Sequence, residues 1–181
     1  NNDNKGLFKN FCLKENDFPK TMTVYIKNMI EVPIDGVSER AINFLKRLGS
    51  VINSKYYENQ RRRLSVYNEA KYIILYEDNN PLYLKLPIGV LDNLKVTFNK
   101  AKVNYEIKNL REEGDKISVT FKGELKPEQE LAFQEIINYD NGIINAPTGF
   151  GKTVLAIYLI SYFKVNTLIL VNKQTLLNQW L

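Results

Sequence analysis

The stretch Ala146-Pro-Thr-Gly-Phe-Gly-Lys-Thr153 decides the fold class of the carboxyl-terminal third of this chain. It follows a short apolar run, Gly142-Ile-Ile-Asn145, and leads into a helical pattern from Lys152 to Phe163 that is apolar nearly all round. The next apolar run, Thr167-Leu-Ile-Leu-Val171, is typical of a strand in a buried parallel sheet. Strand, glycine-containing loop, helix and strand make a βαβ unit, so the sequence predicts an α/β domain in this region.

The same eight residues fit the Walker A pattern, except that Ala146 stands in place of the leading Gly. Phosphate binding needs backbone N–H groups and a helix N-terminus aimed at the anion, a Lys for the β- and γ-phosphates, and a hydroxyl for Mg²⁺. We expect Lys152 and Thr153 to be the catalytic residues, with Thr153 as the metal ligand. The expected contacts of ATP with this loop are Thr148, Gly149, Phe150, Gly151, Lys152, Thr153 and Val154. An ordinary glycine-containing βα turn is the structural alternative.

Missing residue types exclude several chemistries. The chain of 181 residues has no His and a single Cys, Cys12. It therefore cannot supply a Ser-His-Asp triad, a His metal ligand or a Cys-rich zinc site. No apolar run approaches the roughly 20 residues that cross a bilayer. We expect a protein without a membrane segment and, from its cysteine usage, a cytoplasmic one.

The net charge of +5 lies in the N-terminal two-thirds of the chain. Residues 1–126 carry 22 Lys and Arg against 16 Asp and Glu, whereas residues 127–181 carry 3 against 4. The window 40–63 holds seven basic residues against one acid, Glu58, and five of the six Arg. The planar, multi-donor guanidinium suits phosphate contact, and interleaved tyrosines can pack on bases or sugars. The candidate nucleic-acid contacts are Arg40, Arg47, Lys55, Arg61, Arg62 and Arg63.

A solvated helix face is the alternative interpretation of this basic window. It would require i,i+4 acidic partners, and acids are nearly absent locally. Tyr56 and Tyr57 are adjacent, so on a helix we expect one of the two to lie in the core.

Residues 21–122 show the pattern of a small α+β domain that follows a tail or linker at 1–20. Three strand pairs are predicted: 21–26 with 29–34, 71–76 with 82–86, and 103–107 with 116–121. Ser38 is expected to cap a helix whose apolar stripe is Ala41, Phe44, Leu45, Leu48 and Ile52. Further helices are predicted at 55–64, after Pro87, and from Glu128 to Asn138.

Two segments flank the glycine-containing loop, Leu125-Lys-Pro-Glu-Gln129 and Thr167-Leu-Ile-Leu-Val-Asn-Lys-Gln174. In order and spacing, the three resemble the segment upstream of motif I, motif I and motif Ia of superfamily 2 DEAD/DEAH-type helicases, including the helicase subunits of type III restriction enzymes. The resemblance implies that Gln129 reads the adenine edge of ATP and that Asn172 and Lys173 touch a nucleic-acid backbone. It also implies that residues 123–181 begin a RecA-like P-loop domain with a parallel sheet, truncated here.

The N-terminal region resembles the module that precedes the ATPase core in XPB-like helicases, as in TOTE-type conflict systems. The residues that carry the resemblance are Phe44-Leu-Lys-Arg47, Ile52-Asn-Ser-Lys-Tyr-Tyr57 and Leu86-Pro-Ile-Gly-Val-Leu-Asp92. It implies a DNA-engaging module at 21–122, with duplex or single-stranded DNA as the partner and RNA as an alternative.

The sequence reaches Leu181 without an Asp-Glu-x-His/Asp box. We therefore expect this fragment alone to hydrolyse ATP barely, if at all, and the intact parent, with the remainder of its helicase core, to be an ATP-hydrolysing helicase or translocase. Two alternatives stay open. Another P-loop NTPase, such as a nucleotide kinase or an AAA-type ATPase, would show no stimulation by DNA. A non-catalytic DNA-binding module with a structural P-loop would melt at the same temperature with and without Mg·ATP.

Overall fold

The computed structural model describes residues 13–180, which divide into two compact units after Glu112. The division precedes the boundary that we predicted at 122. Cys12 and most of the predicted tail lie outside the described residues. Residues 13–20 do not behave as a linker, because they contain a 3-10 turn at Glu15–Asp17 and the buried ring of Phe18.

The first unit has the predicted α+β architecture. Its helices are α1 (Glu39–Leu48), α2 (Ser54–Arg61) and α3 (Leu91–Lys100). Its strands are β1 (Thr21–Ile26), β2 (Ile30–Pro33), β3 (Ser50–Ile52), β4 (Tyr72–Ile74), β5 (Tyr83–Leu86) and β6 (Asn104–Asn109). The main sheet is mixed, with the order β5-β2-β1-β6, and β3 and β4 form a separate antiparallel ladder.

The core of this unit lies between one face of the main sheet and the helices α1 and α3. Alternate residues of the strands are buried, which follows from the two-residue side-chain period of a pleated strand. The buried strand residues are Met22, Val24, Ile26, Ile30, Val32, Leu84 and Leu86. The helices contribute Ala41, Phe44, Leu45, Leu48, Leu94 and Phe98. The predicted stripe of α1 is confirmed for Ala41, Phe44, Leu45 and Leu48 but not for Ile52, which lies half-buried in β3. The predicted cap is confirmed, because the Ser38 hydroxyl accepts a hydrogen bond from the Ala41 amide at 3.2 Å.

The pairing of strands agrees with the sequence only for the first hairpin. β1 and β2 are antiparallel as predicted, but β6 runs parallel to β1 over the whole of 21–26 instead of pairing with 116–121. Likewise β5 pairs with β2 and β4 with β3, and a single bridge, Glu77 with Lys85, links the two segments expected to form a hairpin. These expectations were wrong because the pattern of a strand does not identify its partner: β4 pairs with the preceding β3, whereas β5 and β6 pair with the more distant β2 and β1.

The second unit contains the three helices α4 (Pro127–Ile136), α5 (Lys152–Phe163) and α6 (Gln174–Trp180). α4 and α5 pack through edge-to-face aromatic contacts, in which the Phe133 ring lies 4.9 Å from Tyr158 and 5.0 Å from Tyr162. Leu155 is the fully buried residue of α5, while Val154, Ile157 and Phe163 are exposed. The expectation that α5 is covered on both sides is not met within the described residues.

The two strands predicted around the glycine-containing loop are not formed. Residues 142–145 and 167–171 belong to no ladder, and Ile143 is 96% exposed. A parallel strand is held by hydrogen bonds to a neighbouring strand, and neither segment has such a neighbour between residues 13 and 180. Both segments are apolar, but an apolar segment forms a strand only where a neighbouring strand pairs with it.

Candidate nucleotide site and basic surface

The glycine-containing loop ends where α5 begins, and two glycines shape it. The Phe150 amide bonds to the Pro147 carbonyl at 3.3 Å and closes a turn in which Gly149 has φ = +84°. Gly151 precedes the helix with φ = +87°, and a Cβ on it would overlap the amide nitrogen of Gln129. Both positions therefore need the left-handed backbone that Gly adopts without steric cost.

The first turn of α5 has backbone amides without hydrogen-bond acceptors. The amides of Lys152, Thr153 and Val154 have no acceptor among residues 13–180, as expected for the start of a helix. The Thr153 hydroxyl also has no hydrogen-bond partner in that range, and it lies one residue after Lys152. Together with the positive end of the helix dipole, these groups can receive an anion, and the hydroxyl oxygen suits a hard cation.

Lys152 folds back across the loop. Its ammonium donates hydrogen bonds to the carbonyls of Ala146, at 2.8 Å, and Pro147, at 3.0 Å. A cation at the N-terminus of a helix opposes the helix dipole, and here the two carbonyls partly compensate it. The charge is thus held against the first residues of the loop.

Gln129 is buried, with 3% of its surface exposed, and it ties α4 to the loop. Its Oε1 accepts from the Lys126 amide at 2.9 Å and caps α4, while its Nε2 donates to the Phe150 carbonyl at 2.8 Å. Nε2 also donates a longer hydrogen bond to the Gly151 carbonyl, at 3.5 Å, which leaves one Oε1 lone pair unused. The expected contact with adenine stays a prediction, and the role that the contacts display is to position the loop.

The remaining predicted nucleotide contacts surround the same loop. Thr148 and Gly149 are exposed, Phe150 is half-buried, and Val154 is exposed on the first turn of α5. Asn172 and Lys173 are exposed at the start of α6 in the same unit.

Arg40 belongs to a structural ion pair, and its assignment as a nucleic-acid contact stays a prediction. Its guanidinium donates to both carboxylate oxygens of Asp17, at 2.7 and 2.8 Å, and the Ser38 hydroxyl and the Lys14 amide donate to the same carboxylate. Burial alone would raise the pKa of Asp17, but the hydrogen bonds from Arg40, Lys14 and Ser38 outweigh it and lower the pKa to about 2. Asp17 lies 23 residues from Arg40 in sequence, so a search for local acids could not find it.

Two other members of the basic window have acidic partners, one from outside the window and one within it. Lys55 pairs with Glu69, whose hydrogen bond raises the pKa of the lysine, and Arg62 pairs with Glu58 at 2.8 Å. Arg61 and Arg63 form no ion pair with any residue from 13 to 180. Lys55 and Arg62 therefore do not carry uncompensated charge, and Arg61 and Arg63 lie at and just after the end of α2.

Neither tyrosine of α2 is in the core. The rings of Tyr56 and Tyr57 contact each other edge to face at 5.2 Å, with Tyr56 half-buried and Tyr57 exposed, while Tyr67 is 94% exposed. The expectation that one of the pair is buried was wrong, because α2 has no buried residue at all.

Within residues 13–180, no cluster of three acidic or sulfur ligands could hold a metal ion, and no helix is both long and apolar enough to cross a bilayer. The metal ligand that the loop suggests is the Thr153 hydroxyl.

Comparison with known proteins supports the resemblance read from the motifs. Residues 122–181 match the family model described as the res subunit of type III restriction enzymes. "Putative helicase 161L" of Invertebrate iridescent virus 6 is 36% identical over 114 residues, which cover 59% of this chain and 26% of that protein. "Putative helicase 109L" of Invertebrate iridescent virus 3 is 30% identical over 135 residues, which cover 71% of this chain and 37% of that protein. No solved structure matches.

These matches confirm the similarity of the chain to superfamily 2 helicases. The matched region spans about a quarter to two-fifths of each viral relative. These matches therefore do not establish the activity of the whole protein.

Proposed function

We propose that this chain is the N-terminal part of an ATP-dependent superfamily 2 DNA helicase or translocase. In this proposal residues 123–181 begin a RecA-like ATPase domain, and residues 21–122 form a module that engages nucleic acid. The observation that carries the proposal is the loop before α5, where unpaired amides, an ammonium and a hydroxyl lie together within the region that matches the res subunit family.

The residues of the loop fit Mg·ATP. The amides of Lys152 to Val154 would hold phosphate oxygens, and the Lys152 ammonium would exchange the carbonyls of Ala146 and Pro147 for the β- and γ-phosphates. Thr153 would hold Mg²⁺, which neutralises charge on the phosphates when it is bound. Gln129 keeps the loop in place through Phe150, so adenine recognition by its side-chain amide would use the free Oε1 lone pair and the Nε2 proton that now makes the long bond to Gly151.

The nucleic-acid partner is proposed to lie against the basic surface of the first unit. Arg61 and Arg63 are the strongest candidates from the sequence, because neither is committed to an acid of the described chain. Lys55 and Arg62 would exchange surface ion pairs for phosphates, and such exposed pairs contribute little to stability because solvent screens them. Arg40 is not part of this surface, since Asp17 holds it.

Thermal denaturation with and without Mg·ATP tests the nucleotide site. A ligand at a hundred times its dissociation constant stabilises the native state by about 2.7 kcal/mol, which raises the melting temperature by several degrees. We expect this rise in the wild-type chain and in Lys122→Ala, an exposed lysine of the same unit, and its loss in Lys152→Ala.

An equal rise in Lys152→Ala and Lys122→Ala would show that ATP binds elsewhere. No rise in the wild-type chain would favour a structural P-loop. Stimulation of ATP hydrolysis by DNA in a chain extended to the full helicase core would separate a helicase from another P-loop NTPase.

A further inference from the structure

The first unit carries a groove whose lining combines cations with tyrosine rings. It lies between α1 and β4 and encloses about 580 Å³. The residues that line it and bear on binding are Asn43, Lys46, Arg47, Lys71, Tyr72 and Tyr76. Three cations and no carboxylate are among the lining residues, and the cations come from two separate elements.

The Lys46 ammonium of this groove contacts an aromatic ring and one carboxylate. The Lys46 ammonium lies 5.6 Å from the centre of the Tyr76 ring and 2.7 Å from the Asp78 carboxylate. Their hydrogen bond raises the pKa of Lys46 and lowers that of Asp78, so both stay charged near neutral pH. The Asp78 side chain is 53% exposed, which leaves it free to turn into solvent when another anion binds Lys46.

Lys71 connects the groove to α2. Its ammonium lies 5.7 Å from the centre of the Tyr56 ring, and its carbonyl accepts a hydrogen bond from the Asn53 amide at 3.0 Å. Asn53 also caps α2. The residue before β4 and the start of α2 are therefore tied together.

We propose that this groove binds a single-stranded segment of nucleic acid, with Lys46, Arg47 and Lys71 on its phosphates and Tyr72 on a base or sugar. The proposal rests on nucleic acid being the substrate of the proposed function and names where one strand would lie. Cations beside aromatic faces are the combination that single-stranded nucleic acids require, because phosphates repeat along the strand and every base has a stacking face. A purely acidic peptide would use the cations and leave the tyrosines without a role.

The shape of the site favours one strand over a duplex. A concave volume of this size is in the range that encloses a drug-sized ligand, and so it can enclose an unpaired base with its sugar. The bases of a duplex are paired and stacked inside the helix, which leaves mainly phosphates to reach the rim of the groove. We therefore expect the tyrosine contact to increase the affinity for single strands and not the affinity for duplexes.

Fluorescence anisotropy with a labelled oligothymidylate of about 15 nucleotides, without ATP, tests the proposal on the full chain. Lys46→Gln and Lys71→Gln should each reduce the log-log salt slope by about 0.7, the value for one phosphate contact on a single strand. Tyr72→Leu should weaken binding roughly fivefold or more while the slope stays unchanged, because it removes stacking and not charge. Lys100→Gln, an exposed lysine of α3, is the matched control and should change neither quantity.

Asp78→Asn should change the affinity and the salt slope in the opposite direction. It removes the acid that competes for Lys46 at the groove rim, so binding should tighten severalfold and the salt slope should become steeper. A duplex of the same length should bind all variants of Tyr72 alike. Circular dichroism melts identify any variant that has lost its fold, and Tyr72→Phe then replaces Tyr72→Leu with the expectation of near wild-type affinity.

Three outcomes would overturn the groove assignment. Wild-type binding with unchanged slope and affinity in all three loss variants would do so while leaving the proposed function intact. Equal affinity for a polyglutamate peptide, insensitive to Tyr72→Leu, would identify an acidic protein segment instead. Absence of any binding to single strands or duplexes would remove the nucleic-acid role of the first unit, whereas the Lys152 melting experiment reports separately on the ATP site.

Discussion

Removing the Asp17 carboxylate should destabilise the first unit without touching the nucleotide loop. The carboxylate accepts hydrogen bonds from the guanidinium of Arg40, the hydroxyl of Ser38 at 2.7 Å and the amide of Lys14 at 2.6 Å. Its side chain is almost fully buried, and it fastens the segment before β1 to the start of α1. Because Ser38 also caps α1, loss of Asp17 loosens the helix start as well.

The expected magnitude follows from these contacts. Each hydrogen bond to a charged group is worth about 1.5–3 kcal/mol when buried, but the Arg40 side chain is 43% exposed and can be rehydrated. We expect Asp17→Ala to lower the free energy of unfolding by about 3 kcal/mol at pH 7, and Asp17→Asn by somewhat less. Arg40→Ala should cost about 1 kcal/mol, because solvent screens the exposed half of the pair.

The pH dependence has a definite sign. The pKa of Asp17 falls from 3.8 to about 2 in the folded chain, which corresponds to about 2.4 kcal/mol before screening and about 1 kcal/mol after it. A lowered folded pKa means that the stabilisation is fully present above about pH 4 and is lost as the pH falls through about 2. The difference in stability between wild type and Asp17→Asn should shrink over this interval.

Urea denaturation followed by far-ultraviolet circular dichroism at pH 7, 4, 3 and 2 measures these quantities. Asp35→Asn, an exposed aspartate of the same unit, is the matched control and should change stability by less than about 0.5 kcal/mol. A loss below about 0.5 kcal/mol in Asp17→Ala, or a difference that does not shrink between pH 4 and 2, would refute the reasoning. Arg40→Ala should also leave the salt slope of nucleic-acid binding unchanged, whereas Arg61→Ala should reduce it by about 0.7–0.9.

Substitutions at three further positions test backbone conformation and packing. Arg63 follows the end of α2 and has φ = +56°. Arg63→Gly should therefore raise the free energy of unfolding in urea by up to about 1 kcal/mol, whereas Arg63→Ala should not. Equal effects of the two substitutions would contradict a backbone origin. Gly49→Ala would place a methyl group 2.9 Å from Leu86 and from Tyr76, and it should cost about 1–3 kcal/mol in the same assay, with an unchanged midpoint arguing against a tight contact there. Gly151→Ala should abolish the rise in melting temperature with Mg·ATP, because its φ of +87° and the nearby Gln129 amide both exclude a side chain; a retained rise would count against the loop geometry.

Local periodicity located most of the elements but not their partners. The span of α5, the cap and stripe of α1, and the hairpin of β1 and β2 depend on neighbouring residues, so the sequence predicted them. The parallel pairing of β6 with β1 and the isolation of 167–171 depend on which edge is open in three dimensions. A period of two residues predicts a strand and carries no information about its neighbour.

The sequence by itself led to the proposal of a phosphate-binding loop. The types and spacing of Gly149, Gly151, Lys152 and Thr153 act within one loop and one helix turn, where spacing along the chain and position in space are nearly the same thing. The helicase resemblance likewise rests on short segments that are recognised by their residues and by their order along the chain. The family match over 122–181 agrees with it.

Only the tertiary structure decided what the charges do. It joins Arg40 to Asp17 across 23 residues and buries Gln129 as the tether of the loop; it also brings Lys46 of α1 beside Lys71 and Tyr72 in one groove. Coulomb interactions and hydrogen bonds depend on distance through space, and folding places residues far apart in sequence within a few ångströms. A window of arginines counted along the chain therefore contains both a structural ion pair and candidate ligand contacts, and the fold tells them apart.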